Sequence, residues 1–336
     1  MRHTAVHTPI LLAALVLLTV VGQAQQKLAQ TGMKFLNVTT DARAVALGEA
    51  ITSVDGGSSS LFFNPSSMAH QKGLVSVDLG QVQWIADIRH NYASAAFSPW
   101  DGEYGVIGVM VQAVDYGDFE QTVKTGTDVG YIDLGTFKPT ALVVGLGYAR
   151  ALSDKFSIGG AVKYVHQDLG SGAVAVASGG TYDYASNVAQ VFALDFGMTY
   201  KTGLKSLQFG MVVRNFSKEA RYIDEGFQLP LTFRIGLSAN VFDFAELDPQ
   251  EHRLLVSIDA EHPRDYPERV KMGMEYLFMD MVALRAGFIS LADEQKFSFG
   301  LGLQQTLGGI GLGVDYAYTP FGIFDKVQTF TVRISY

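Results

Sequence analysis

The side chains in this sequence that could do chemistry are a scatter of charges and a few imidazoles. Lys163, Asp195, Arg214, Arg234, Asp259, Lys271, Glu275, Arg285, Asp315 and Arg333 interrupt stretches that are otherwise apolar or glycine-rich. Cations and carboxylates mixed in this way can form a permeation filter, a catalytic carboxylate cluster, or an ion-pair ladder that satisfies a wet interior. Hydrolysis would need a histidine that is oriented by a carboxylate and faces a serine. Beyond the N-terminal leader the histidines are His70, His90, His166, His252 and His262, and no spacing gives one a nucleophile partner. There is no cysteine and no His/Asp/Glu spacing of metal-ligand type. Gly145-Leu-Gly147, Gly300-Leu-Gly302 and Gly309-Ile-Gly311-Leu-Gly313 do not complete a G-x-G-x-x-G nucleotide loop. These features read as a non-enzyme without cofactor or metal, with the charges as an ion-pair ladder.

The elements that position these charges are strands. Leu231, Phe233, Ile235 and Leu237 alternate with Thr232, Arg234, Gly236 and Ser238. Val270, Met272, Met274 and Phe278 alternate with Lys271, Gly273 and Glu275, and Ile310, Leu312, Val314 and Tyr316 alternate with Gly311, Gly313 and Asp315. The terminal Thr329–Tyr336 stretch has Phe330, Val332, Ile334 and Tyr336 on one face and Thr329, Thr331, Arg333 and Ser335 on the other. From Gly73 onward the pattern recurs in about 14 segments of the roughly 9–11 residues that cross a bilayer as tilted strands. All ten charges fall on the polar parity, as a lipid-facing apolar side demands, since a charge at the bilayer midplane costs roughly 2–4 kcal/mol. His90 and His166 fall on the outer parity and do not fit.

Composition agrees with a membrane barrel. Hydrophobic residues make up 48% and charged residues 17%, with 36 glycines; soluble domains carry about 25% charge. After Ala24 no apolar run is long enough for a transmembrane helix. Backbone polar groups can then cross lipid only in a closed barrel. Arg2 and His3 before the apolar Ile10–Val21 run, with Gly22-Gln23-Ala24 after it, read as a signal peptide over 1–24 cleaved near Gln25. Net charge −8 argues against a nucleic-acid partner.

The joints alternate short (98–103, 151–155, 201–206) and long (115–138, 167–189, 217–228), as periplasmic turns and external loops do. The regularity weakens from 243 to 268. An even strand number puts both termini on the periplasmic side. About 14 strands enclose more space than their own side chains fill, and residues 25–70 are the candidate plug. Within it, Asp41–Ala50 reads as a short helix capped by Asp41, and Asn64-Pro65 as the turn into the first strand. Arg43 and Glu49 are placed to pair with lumen charges and hold the plug. Plug and barrel, 25–70 and 71–336, form one structural unit.

Phe35-Leu36, Ala42-Arg43-Ala44, Leu47-Gly48-Glu49-Ala50 and Phe63-Asn64-Pro65 with Met68-Ala69 resemble the signature of the PorV/PorQ family. Ser66 stands where the family commonly has Ala. The resemblance implies an all-β, FadL-like outer-membrane barrel with a plug in which Phe35, Leu36, Arg43, Gly48, Asn64 and Pro65 belong to the conserved-type motif. It further implies a place beside type IX secretion components and exported cargo, or, as in FadL-like relatives, passage of small hydrophobic molecules. The lumen parity is mostly Gly, Ser, Thr and charge, which favours the interaction role over transport. The acidic loop 115–138 and the flexible loop 167–189 are where a partner would dock.

Overall fold

The computed structural model describes residues 31–124, 130–176, 182–244 and 251–336; the expected leader and its cleavage point lie outside them. The strands are β1 (Val75–Gln83), β2 (Arg89–Phe97), β3 (Val106–Asp115), β4 (Phe119–Lys124), β5 (Tyr131–Phe137), β6 (Thr140–Ala151), β7 (Phe156–Val176), β8 (Tyr182–Lys201) and β9 (Gln208–Ser217). They continue with β10 (Ala220–Arg221), β11 (Gly226–Phe227), β12 (Thr232–Asn240), β13 (His252–Pro263), β14 (Arg269–Phe278), β15 (Val282–Ile289), β16 (Phe297–Leu307), β17 (Ile310–Pro320) and β18 (Lys326–Ser335). Fourteen of them close an antiparallel barrel, each paired with its neighbour in sequence order and β18 paired back to β1. The pairs β4–β5 and β10–β11 are small separate ribbons.

Alternation gives the barrel its two surfaces. On β17, Ile310, Leu312 and Val314 face out, while Gly313, Asp315 and Ala317 are buried toward the lumen. Leu301, Leu303 and Val314 are each more than half exposed, as suits side chains covered by lipid acyl chains rather than protein. Tight turns lie at one end: Met279 and Asp280 (φ 51° and 53°) and Gly308 and Gly309 (φ 58° and 88°) both take the left-handed conformation of a two-residue hairpin turn.

Three features depart from the sequence reading. A 3-10 turn over Ile85–Asp87, with Ala86 at φ 54°, interrupts the alternating run after β1, so β2 starts only at Arg89. The break resets the alternation. His90, expected outside, faces the lumen with Tyr92 and Ser94, 1% exposed, and its Nδ1 lies 3.1 Å from Gln112 Nε2. His166 does stay outside, stacked on Tyr164. Secondly, the joint 167–189 is mostly strand. β7 and β8 run 21 and 20 residues, about twice a membrane crossing, and rise beyond the wall as a ribbon. Thirdly, the joint 115–138 contains β4–β5, tied to that ribbon by Gln121 Nε2 donating to the Ser171 carbonyl at 2.7 Å. The 241–251 connection is long although it lies at the short-turn end, which is why loop length stopped sorting there.

Residues 31–74 occupy the lumen. They carry 3-10 turns at Lys34–Asn37, Ser58–Phe62 and Pro65–His70 and the short helix α1 (Ala42–Ala46). Asp41 caps α1 as expected, accepting from Ala44 N at 2.8 Å. Leu61, Phe62, Phe63 and Met68 form a core with Tyr92, Val106, Met110, Ala149 and Ala161 of the wall. The segment enters at the loop end, where Thr31 bridges Gln228, and leaves at the turn end, where Val75 N donates to the Tyr336 carbonyl. The even-strand argument therefore fixes the ends of the barrel strands on one side, but the plug carries the chain back through the lumen to the other.

Candidate functional site

The site is the docked plug and the two vestibules it separates. Close approach comes first. The wall presents glycine at several points where the plug backbone passes closely: a Cβ on Gly273 would stand 2.5 Å from the Leu47 carbonyl oxygen, and one on Gly159 2.5 Å from Ser66 N. Gly287 abuts Gly48, Gly300 abuts Ala46, and Gly210 abuts Thr52. Gly48 itself has φ +60° with the Phe288 backbone beside it, so a side chain there has neither space nor conformation. Of the glycines that resembled nucleotide loops, Gly147 and Gly300 seat the plug at Leu61 and Ala46, Gly302 and Gly313 make room for Arg285, Asp315 and Arg333, and Gly309 belongs to a hairpin turn.

Charge then fastens it. Arg43 of α1 donates from Nε and Nη2 to both oxygens of Glu275, at 2.9 and 2.7 Å. Glu275 also accepts from Arg285 Nε; Arg285 Nη1 reaches Asp315 at 2.6 Å, and Arg333 Nε reaches the other Asp315 oxygen at 2.7 Å. Nearer the loop end, Glu49 of the plug accepts from Lys271 at 2.6 Å and Arg234 at 3.4 Å, and both cations also pair with Glu261. A third group is isolated: Lys163 pairs with Asp195 at 2.7 Å and donates to Asn215 Oδ1 at 2.6 Å, beside the bulge where the β8–β9 register slips.

The ten predicted charges therefore line the lumen but not as one ladder. Asp259 makes no ion pair among the described residues. Its Oδ2 accepts the backbone N–H groups of Ile51 and Thr52, each at 3.0 Å, and so binds plug backbone. Arg214 also has no ion-pair partner among the described residues, and its buried Nε has no acceptor, because the bulge turns Asn215 (φ 60°) rather than Arg214 toward Asp195. Glu261 and Asp78 were missed, though both carry the signal used for the others: Glu261 lies two residues from Asp259 on the lumen parity. Asp78 accepts from Ser58 Oγ and from Ser59 N at 2.5 and 2.9 Å. Of the plug motif, Phe35 and Leu36 pack in a core with Val165, Val191 and Leu229. Asn64 caps the turn begun by Pro65 and ties it to the Thr52 carbonyl at 2.7 Å. Ser66 donates to Asn64 Oδ1 at 2.8 Å, a bond that alanine could not make.

The structure does bring one serine to a histidine: Ser157 Oγ lies 2.9 Å from His70 Nε2. The other ring nitrogen faces Lys201 Nζ at 3.3 Å instead of a carboxylate. Burial, aided by Lys201 and opposed by Asp55, holds His70 below its ordinary range. With Ser157 fully buried, the pair has neither an orienting anion nor room for substrate. In the plug, burial, with Asp78 and Asp315 adding repulsion, pushes the Asp41 carboxyl up to about 6.

On the loop side of the plug lies a cavity of about 780 Å³, walled by Met33, Phe35, Trp84, Tyr116, Tyr222 and Phe321 over a floor of Glu49, Arg234, Glu261 and Lys271. The expectation of a lumen poor in large apolar groups does not hold: Tyr92, Val106, Met110, Val165 and Val191 turn inward from the wall, and the aromatics of this cavity come from the plug and the joints. On the turn side a cavity of about 340 Å³ is lined by Arg43, Asp55, Gln208, Glu275, Arg285 and Arg333, with Leu255 and Leu277 among others.

Fourteen antiparallel strands closed around an N-terminal plug define the class of FadL-like barrels. Solved structures of similar fold include the toluene transporter TbuX of Ralstonia pickettii, with TM-score 0.58, 13% identity, and 89% of this chain and 98% of that one covered. The toluene transporter TodX of Pseudomonas putida gives 0.57, 12%, 92% and 98%, and a FadL homologue of Pseudomonas aeruginosa gives 0.54, 10%, 88% and 98%. At such identities the likeness is of fold. No curated protein matches the chain in sequence. The family model described as type IX secretion system protein PorV matches residues 21–261, and the chain belongs to that family. Family and fold are of outer-membrane secretion and transport type rather than enzymatic.

Proposed function

We propose that this chain is an outer-membrane adaptor of type IX secretion, which holds or hands over exported proteins beside the translocation and surface-attachment machinery. Membership of the PorV family carries the reading, and a plug fastened to the wall through Arg43, Glu49, Asn64 (to the Met198 carbonyl) and Asp259 supports an adaptor over an open conduit. In this reading residues 1–24 are a cleaved leader and 25–70 the plug. The turn end with Tyr336 faces the periplasm, and the β4–β5 and β7–β8 ribbons reach outward to partners. Affinity purification of the tagged protein from mild-detergent outer-membrane extracts, with mass spectrometry, tests it. Recovery of translocon or surface-attachment proteins supports the adaptor; a lone barrel carrying extractable hydrophobic compounds sinks it.

The loop-end cavity favours one second reading, a FadL-like transporter of small hydrophobic compounds. Its aromatic walls suit an apolar guest, and solved neighbours of this fold are toluene transporters. Quenching of Trp84 fluorescence on titration with toluene would support it.

A further inference from the structure

The two plug-facing charge clusters are not balanced alike. At the loop end Arg234 and Lys271 face Glu49 and Glu261, two cations to two carboxylates. At the turn end Arg43, Arg285 and Arg333 share only Glu275 and Asp315. The four oxygens of those carboxylates are all engaged, and Arg333 is bound through Nε alone, which leaves its two Nη groups. The acceptor recorded for them, Gln304 Oε1, lies at 3.5 Å, too far for a good bond. Asp41 and Asp78 are near but make no ion pair among the described residues; their bonds go to Ala44 and to Ser58 and Ser59.

These open donors face space. Arg253, Gln304 and Arg333 line both the 340 Å³ cavity and an adjoining one of about 320 Å³ at the rim, where Lys72 adds a further cation. Arg253 is on the lumen parity of β13 and pairs with Asp280 through one Nη, its side chain 41% exposed. Two guanidiniums with free N–H groups and an amide between two cavities match a planar or tetrahedral oxyanion.

We propose that the turn-end vestibule binds a carboxylate or phosphate group between Arg253 and Arg333. The guest enters from the turn end and stops against the plug, because Arg43 and Glu275 close the cavity above it. The test uses the full chain in a phosphate-free detergent, with inorganic phosphate followed by phosphorus NMR line broadening. Saturable broadening in the millimolar range is expected, weakened about tenfold or more in Arg253→Gln and in Arg333→Gln, as loss of a charged hydrogen bond implies. Arg269→Gln, at the loop end and stacked on Tyr266, should bind as the parent does. Displacement of phosphate by triglycine but not by its amide assigns the site to peptide chain ends; displacement by succinate assigns it to small acids. Absence of saturable broadening in the parent, or equal binding in Arg253→Gln and Arg269→Gln, overturns the proposal. Arg333→Gln loses a bond to Asp315 and could misfold, so the exposed Arg253 carries the decision.

Discussion

Replacing Glu275 by glutamine removes the carboxylate that joins the plug to the wall. Glu275 takes both bonds of Arg43 and one of Arg285, so Glu275→Gln leaves three guanidiniums around Asp315. Breaking a buried pair by deleting one partner costs about 3–5 kcal/mol. Arg43 keeps 20% of its side chain exposed toward the turn-end cavity, so water recovers part of that, and about 3 kcal/mol is the working figure. If plug undocking is the motion that exposes α1, that is roughly a 150-fold faster exchange of its amide hydrogens. Hydrogen exchange read by mass spectrometry on residues 41–50 measures this directly, with strands β15–β17 as internal reference. Arg43→Gln should give a similar increase, and the double variant less than the sum of the two, since the second change removes a charge already unpaired. Full additivity, or faster exchange in β15–β17 without faster exchange in 41–50, would refute the claim that this pair holds the plug.

The raised Asp41 carboxyl gives plug docking a pH dependence: the docked state binds a proton more tightly than the free chain, so docking strengthens as pH falls from about 6 toward 3.8 and is level, at its weakest, above about 6. Exchange of residues 42–46, corrected for intrinsic rates, should slow over that window, and Asp41→Asn, which preserves a capping side chain, should abolish the trend. Gly287→Ala places a methyl against the backbone of Gly48, which cannot rotate away, and overpacking costs about 1–3 kcal/mol; protease cleavage within 41–57 should rise while the folded barrel persists on gels. Deleting the β4–β5 ribbon (119–137) should leave barrel folding intact yet remove partner proteins from the affinity eluate.

The barrel could be read from sequence because lipid outside and polarity inside impose a period of two that each strand must obey alone. That is why Lys271, Glu275, Asp315 and Arg333 were placed on the correct face. What depended on contact between distant segments was less legible. The turn at Ala86 shifts His90 inward, yet nothing in the local apolar pattern marks it. Strands β7 and β8 outrun the membrane because Ser171–Val176 pairs with Tyr182–Ser186, a ribbon of mostly small residues on its β7 side, without the alternation that flagged the rest. The plug motif announced a cap at Asp41 and a turn at Asn64, both local. That Asp259 would bind the amides of Ile51 and Thr52, over 200 residues away, is a fact of assembly that only the fold supplies.

The route of residues 31–74 has a bearing on how the molecule is made. The plug passes through the ring from Gln228 to Tyr336, and β1, which follows it directly, is sealed to β18, the most distant strand in the sequence. Once sealed, the lumen at Gly159, Gly210, Gly273 and Gly287 has no clearance for even a methyl group beyond the plug itself. This fit predicts that docking precedes sealing, the curved sheet from β2 to β17 collecting the plug on its concave face before the β1–β18 seam shuts; pulse-labelled hydrogen exchange during refolding should then protect residues 41–50 before β1 and β18. The glycines and the Arg43–Glu275 pair act as an assembly jig, and a variant that loosens them should slow seam closure as well as the motion of the finished plug.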